Sequence, residues 1–403
     1  MKQLQRAEEE MLAGIDPVQM LAQVEAWSAI NTGTRNLEGL KQQAAVLAEA
    51  LTKLPGEVTL EEPAPVTAMD AEGSEIELQH GRHLVLRVRP EATRRFLLTG
   101  HMDTVFPSDH SFQHLKWIDD ETLGGPGTAD MKGGIAVILA ALTAFETSEA
   151  ANTVGYDVII NSDEETGSLS SAALIERLAR GKEAALTYEP SALPDGTLAH
   201  ARGGSGNYSV AVTGRSAHAG RNPEDGRNAL VAAAAIVMAL KEIEGADIPI
   251  NPARIEGGSA NNVVPDHAVL RFNIRPRTGE AAEEFPPRLQ ELLDHIAAEH
   301  DVRIHLHGGI TRPPKPVDAK AQKLFDLVRS CGAELGQPIA WKSTGGVCDG
   351  NNIAACGVPV VDTMGVRGGA IHSPDEYLIV PSLKERAELS ALVLHRLAKG
   401  EMV

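Results

Sequence analysis

A chain of 403 residues has room for a large core and two domains, since single domains mostly run ~100–200 residues. Its 37 basic against 55 acidic residues give a formal charge of −18, which argues against nucleic acid and anionic membrane as partners. Cys331, Cys348 and Cys356 show no metal-type spacing, no run approaches the ~20 apolar residues of a membrane span, and residues 1–13 are too charged for a signal peptide, so the expected location is cytoplasmic.

Asp16-Pro17 opens the chain's first long helical pattern, with an acid to cap the turn and the proline favoured at its first position; helical periodicity continues to about Leu54. Residues 84–98 alternate in strand fashion and end in Phe96, Leu97 and Leu98, just before Gly100-His101-Met102-Asp103. Asp130 opens a helix over 131–145. The apolar run Val158, Ile159, Ile160 stops at Asp163-Glu164-Glu165, ahead of a helix over 169–180, and residues 184–188 stop at Glu189-Pro190. Strands alternating with helices predict an α/β fold, a mostly parallel mixed sheet flanked by helices. The texture changes at Gly203-Gly204-Ser205-Gly206, a hinge signal. Strand 208–212, helix 229–240, strands 252–256 and 269–274, helix 284–299 and strand 302–307 spell a ferredoxin-like α+β unit, closed by a second hinge at Pro313-Pro314. Alternation resumes from about Ala319 and reaches His372. The predicted organisation is a discontinuous catalytic domain, residues 1–203 and 314–403, carrying an inserted domain at 204–313.

Sheets of this kind bind ligands beyond the carboxyl ends of their strands, so His101, Asp103, Glu164, Glu165 and Glu189 should converge there. Singly, each has an ordinary reading: a loop histidine, a solvated pair of acids, or, for Asp130, an acid favoured by a helix N-terminus. Together they make a cluster of negative charge that repels itself unless one or two divalent cations sit within it. Zinc takes imidazole nitrogen and carboxylate oxygen readily, and paired metals ~3.5–4 Å apart lower the pKa of water and polarise a carbonyl. Asp103, two residues after His101, can accept from the other ring N–H. In an extended chain the neighbours Glu164 and Glu165 point to opposite sides, so that one binds metal and the other serves as general base.

The segments Gly100-His101-Met102-Asp103-Thr104-Val105, Gly127-Thr128-Ala129-Asp130-Met131-Lys132-Gly133-Gly134, Asn161-Ser162-Asp163-Glu164-Glu165-Thr166-Gly167-Ser168, Tyr188-Glu189-Pro190 and Ile371-His372-Ser373 resemble the dizinc amidohydrolases related to glutamate carboxypeptidase, aminoacylase and acetylornithine deacetylase. The likeness spans nearly the whole chain and is greatest to bacterial glutamate carboxypeptidases. It implies two Zn2+, with Co2+ as a substitute. Asp130 would bridge them, His101 and Glu189 would hold one, and Glu165 and His372 the other. Glu164 would be the base and Asp103 would tune His101. The resemblance also implies a cis peptide after Asp130, where relatives commonly carry a second Asp and this chain has Met131. From the inserted domain, which would act as lid and homodimer contact, His218 would reach a partner subunit's substrate carbonyl. Asn262 and Arg275 would bind the substrate's terminal carboxylate, with Arg202 and Gly346 lining the same pocket. The function so implied is hydrolysis of the amide bond of a small N-acyl amino acid or dipeptide with a free carboxylate, by water activated at the metals. Alternatives are an N-acyl amino acid deacetylase and an inactive binding protein of the same fold.

Overall fold

The computed structural model describes residues 4–402, so Met1 to Gln3 of the helix-prone N-terminal stretch lie outside it. Its principal sheet has six strands in the spatial order Glu57–Glu61, His83–Val88, Gly155–Asn161, Arg95–His101, Ala184–Thr187, Val360–Val361. The last four are mutually parallel, and His83–Val88 alone runs antiparallel to both of its neighbours. The central strands are buried on both faces, which is why they read as unbroken apolar runs. Phe96, Leu98, Val158 and Ile160 enter the larger core beneath helices Pro17–Ser28, Gly133–Phe145 and Ser382–Ala398. Leu97 and Ile159 point the other way, to a smaller core under Ala172–Ala179 and Asp349–Ala355.

The expected single helical region from Asp16 to about Leu54 is two helices, Pro17–Ser28 and Leu37–Leu51. Asp16 caps the first by accepting from the Val18 and Gln19 amides, and Asn36 caps the second through Gly39. The helix expected over 131–145 starts at Gly133, after an irregular turn at Thr128–Lys132 in which Asp130 and Met131 leave helical geometry. The Asp130–Met131 peptide is cis.

Residues 205–312 form a four-stranded antiparallel sheet, ordered Ile250–Gly257, His267–Ile274, Ser205–Thr213, Arg303–Arg312. Helices Ala229–Ile243 and Gly279–His300 cover one face and enclose a separate core. The second helix begins a turn before the expected residue 284, because Thr278 caps it by accepting from the Ala281 amide. The sheet's other face receives a hairpin that sequence periodicity did not reveal, Val66–Met69 with Glu75–Leu78. Its Met69 packs on Ala211 and Val269, and Arg271 donates to the Met69 and Asp70 carbonyls at 3.0 and 2.9 Å.

Two glycines fix how closely the Gly133–Phe145 helix and the 360–372 segment approach the strand that carries Glu189. A Cβ on Gly134 would lie 2.1 Å from the Tyr188 carbonyl oxygen, and one on Gly365 would lie 2.2 Å from the same atom. Both contacts are with backbone, which cannot swing aside. Gly134→Ala should therefore cost ~1–3 kcal/mol through overpacking. Urea unfolding reads this as a lowered midpoint; an unchanged midpoint would show that the helix start yields freely.

Candidate metal centre

Strand register brings the ligands together. Thr99 pairs with Thr187 across the parallel ladder, so His101 and Glu189, each two residues further on, emerge side by side at the carboxyl edge. His101 itself pairs with Asn161, three residues before Glu164. Asp130 arrives from the turn ahead of the Gly133–Phe145 helix. His372 arrives from the C-terminal segment with a left-handed backbone, φ 63°, a conformation that side-chain-bearing residues adopt sparingly and often at functional sites.

Asp130 lies at the centre of the cluster. Its Oδ1 is 3.1 Å from His101 Nε2 and its Oδ2 is 3.3 Å from His372 Nε2. Glu189 Oε2 stands 3.6 Å from His101 Nε2, and Glu165 Oε2 stands 3.1 Å from His372 Nε2. Ligand atoms of His101, Asp130 and Glu165 lie within 4.8 Å of one another, as do those of His101, Glu164 and Glu189. The donor set is imidazole nitrogen plus carboxylate oxygen, with one carboxylate facing both histidines, and it fits a pair of divalent cations.

The electrostatics point the same way. Burial pushes the Glu165 carboxyl up to about 7 and raises Glu189 and, more strongly, Glu164. Burial would raise Asp130 too, but hydrogen bonds from His101 and His372 hold it below its usual value. Hydrogen bonds to Asp130 and Glu165 carry His372 up to about 11. The protein alone thus keeps protons where cations would sit.

Glu164 and Glu165 occupy a 3-10 turn, Glu164–Thr166, not the expected extended chain, yet they still part company. Glu164 lines a cleft of about 460 Å³ with Asp130, Glu189 and His372, whereas Glu165 does not. Asp103 lies beyond the strand, which ends at His101. Its backbone oxygen is 3.0 Å from His101 Nδ1 and its carboxylate is 3.4 Å away, so the expected carboxylate contact is the longer one. That carboxylate accepts instead from the Thr34 hydroxyl at 2.7 Å and from the Glu164 and Glu165 amides at 3.1 and 3.2 Å, pinning the turn that presents both glutamates.

Arg202 and Gly346 do line the cleft. The Arg202 guanidinium is already engaged, however: it donates twice to Asp362, at 2.8 and 3.1 Å, and to the Gly346 carbonyl at 2.9 Å. The other three candidates are not brought to this cleft. His218 and Asn262 are exposed neighbours at the far tip of the inserted domain, where Ala219 donates to the Asn262 carbonyl. Arg275 follows the hinge end of strand His267–Ile274 and is hydrogen-bonded to Asn273. The eight-residue strand between them, at ~3.3 Å per residue, separates the two ends by roughly 25 Å. Arg275 and Asn262 of one chain therefore do not share a pocket.

Three residues that sequence reasoning missed support the cluster from behind. Glu376 accepts from the Ala129 and Asp130 amides at 3.1 Å, Asp349 accepts from Asn161 at 2.5 Å, and Arg312 pairs with Glu164 at 2.7 Å. Glu376, four residues after His372, had only that proximity as a signal.

Such a donor set at the carboxyl edge of this sheet suits metal-dependent hydrolysis, and the chain's relatives define its class as a hydrolase acting on amide bonds. The chain belongs to peptidase family M20/M25/M40, whose pattern matches residues 97–396. It is 28% identical to carboxypeptidase G2 of Pseudomonas sp. (strain RS-16) over 98% of this chain and 92% of that one. It is 29% identical to a succinyl-diaminopimelate desuccinylase of Psychrobacter sp. (strain PRwf-1) over 70% of this chain and 73% of the relative. In fold it is similar to the aminopeptidase PepT of Bacillus cereus ATCC 10987, with a TM-score of 0.72 at 23% identity, covering 95% of this chain and 99% of that one.

Two outcomes test the centre. Asp103→Asn should weaken metal affinity ~10–100-fold by loosening the ligand-bearing turn, as measured by competition with a chelator; unchanged affinity would detach Asp103 from the site. Because His372 is carried up to about 11 and Glu165 up to about 7, His372 holds a proton at pH 7 and Glu165 is only partly protonated there. Cation uptake at pH 7 should therefore release protons, and affinity should fall as pH drops. Calorimetry in buffers of different ionisation enthalpy reads the release, and its absence would contradict this ligand set.

Proposed function

We propose that this chain hydrolyses the amide bond of a small N-acyl amino acid or dipeptide bearing a free terminal carboxylate, in the manner of a glutamate carboxypeptidase and with two Zn2+ as its resident metals. One observation carries the reading: Asp130 presents an oxygen to each of two histidines, each histidine has its own second carboxylate, and a further acid, Glu164, faces the cleft. Asp130 is assigned as the bridge, His101 and Glu189 as ligands of one ion, and Glu165 and His372 as ligands of the other; Co2+ is a workable substitute. Bound there, the ions would acidify a water and polarise the scissile carbonyl.

Glu164 takes a proton from the attacking water and returns it to the leaving nitrogen, for which its place on the cleft wall and its raised proton affinity suit it. Arg275 supplies the planar fork that suits a terminal carboxylate. Asn262 and His218, too far along the lid to serve beside Arg275, are assigned to the site of a partner subunit, where the imidazole donates to the carbonyl oxygen as negative charge develops. Two features support a homodimer through the lid: Leu230, Val231 and Met238 are exposed along helix Ala229–Ile243, and Ile250–Gly257 is an edge strand with no neighbour beyond it among the described residues. The desuccinylase likeness favours a second reading, removal of an acyl group from an amino acid by the same residues.

Glu164→Gln should abolish turnover while two metal ions remain bound, as read by metal analysis and a hydrolysis assay; loss of metal would exchange the roles of Glu164 and Glu165. His218→Ala should lower kcat by ~10²–10³ with metal content intact. Full turnover would remove His218 from the mechanism. A panel of dipeptides and N-acyl amino acids ending in Glu, Asp, Ala and Leu distinguishes the two substrate readings by which compounds are cleaved.

A further inference from the structure

Arg312 ends the last strand of the lid, Arg303–Arg312, and is buried. Its guanidinium does not turn back into the lid. Nη2 donates to the Glu164 carboxylate at 2.7 Å, to the Glu164 carbonyl at 3.2 Å and to the Ser168 hydroxyl at 2.9 Å. Nη1 donates to Asp349 at 2.9 Å and to the Asn352 side chain at 3.0 Å. Asp349 is in turn fixed by Asn161 and Ser168, both at 2.5 Å.

The same corner holds the two places where the chain passes between sheet and lid. The Asn351 amide donates to the carbonyl of Gly203, on the outward crossing, and to that of Pro313, on the return, at 2.9 and 2.7 Å. The Arg202 and Lys315 backbones exchange hydrogen bonds at 3.0 and 2.9 Å, closing the two crossings into one ribbon. Any rotation of the lid therefore pivots next to Arg312, and Arg312 grips the acid on the cleft wall.

We infer that Arg312 is a positioning residue for the hydrolysis: carried by the lid, it orients the Glu164 carboxylate and ties that orientation to the lid's posture. This rests on Glu164 being the base. With one oxygen held by a charged N–H, the carboxylate has its other oxygen left for proton transfer; without that anchor the group rotates. The planar fork spans Glu164 and Asp349 together, which a lysine ammonium, as a single point charge, does not reproduce. A purely structural arginine would be satisfied by Asp349 and Asn352 alone.

The test uses the metal-loaded full-length enzyme. Arg312→Met and Arg312→Lys are each assayed for metal content, kcat and KM, alone and in a Glu164→Asp background. Expected are two bound metals, little change in KM, and a kcat lowered ~10²-fold by misplacement of the base. The loss should be much smaller in the Glu164→Asp background, since residues acting as a unit are non-additive, and added guanidinium should restore part of the Arg312→Met rate. Should Arg312→Met fail to fold, Arg312→Lys with the same cycle decides the matter. A wild-type kcat in either variant, a loss undiminished in the Glu164→Asp background, or a rate that falls only in step with metal content would overturn the assignment. Turnover surviving in Glu164→Gln would instead overturn Glu164 as the base, whatever Arg312 does.

Discussion

The constraint on which the structure depends is the confinement of four carboxylates, Asp130, Glu164, Glu165 and Glu189, with two imidazoles at one edge of a sheet. Burial raises the proton affinity of Glu164, Glu165 and Glu189, so the cluster is tolerable only with positive charge among them. The chain supplies some of it through His101, His372 and Arg312, and the donor set leaves room for cations to supply the rest. Features remote in sequence answer to this requirement. Asp103 pins the glutamate turn, Glu376 holds the amides ahead of Asp130, and Gly134 and Gly365 let two segments close onto the Tyr188 carbonyl.

The lid is joined to the rest by more than its two crossings. Hairpin 66–78 belongs by sequence to the first part of the catalytic domain, yet it lies on the lid sheet. Its Thr67 contacts His307 at 3.0 Å, its Glu75 contacts His305 at 2.8 Å, and His267 reaches the Ala71 carbonyl at 3.0 Å. A closure over substrate, of the kind that excludes water and completes a site, would have to carry this strap along or detach it. The corner at Asn351 and the strap thus grip the lid at separate places, and the first of them includes the acid on the cleft wall.

Much of the site was legible because His101, the Glu164–Glu165 pair and Glu189 each follow a strand whose burial on both faces leaves an apolar run in the sequence. Asp130 and His372 follow no such strand and were legible only through the family motifs around them. Phe96 to Leu98 announces His101, and Val158 to Ile160 announces the two glutamates. Support from behind was not legible. Arg312 closes an alternating lid strand and reads as an ordinary surface arginine, and Asp349 opens a short helix as any acid might. Local pattern also misjudged conformation. Glu164 and Glu165 separate by a tight turn instead of strand alternation, because Asp103 accepts from both of their amides, a contact 61 and 62 residues away in sequence.

By itself, then, the sequence determined the architecture and the strand-end acids and histidine, because periodicity and strand-end residues are local properties of a chain. The full set of five metal-ligand candidates and the acid beside them came from the motifs' resemblance to a known family. Only the tertiary structure decided which glutamate faces the cleft, that Arg202 is already spent on Asp362, and that Arg275 and Asn262 lie at opposite ends of the lid. Those are matters of distance between segments, set by register and packing, and residue order alone carries no record of them.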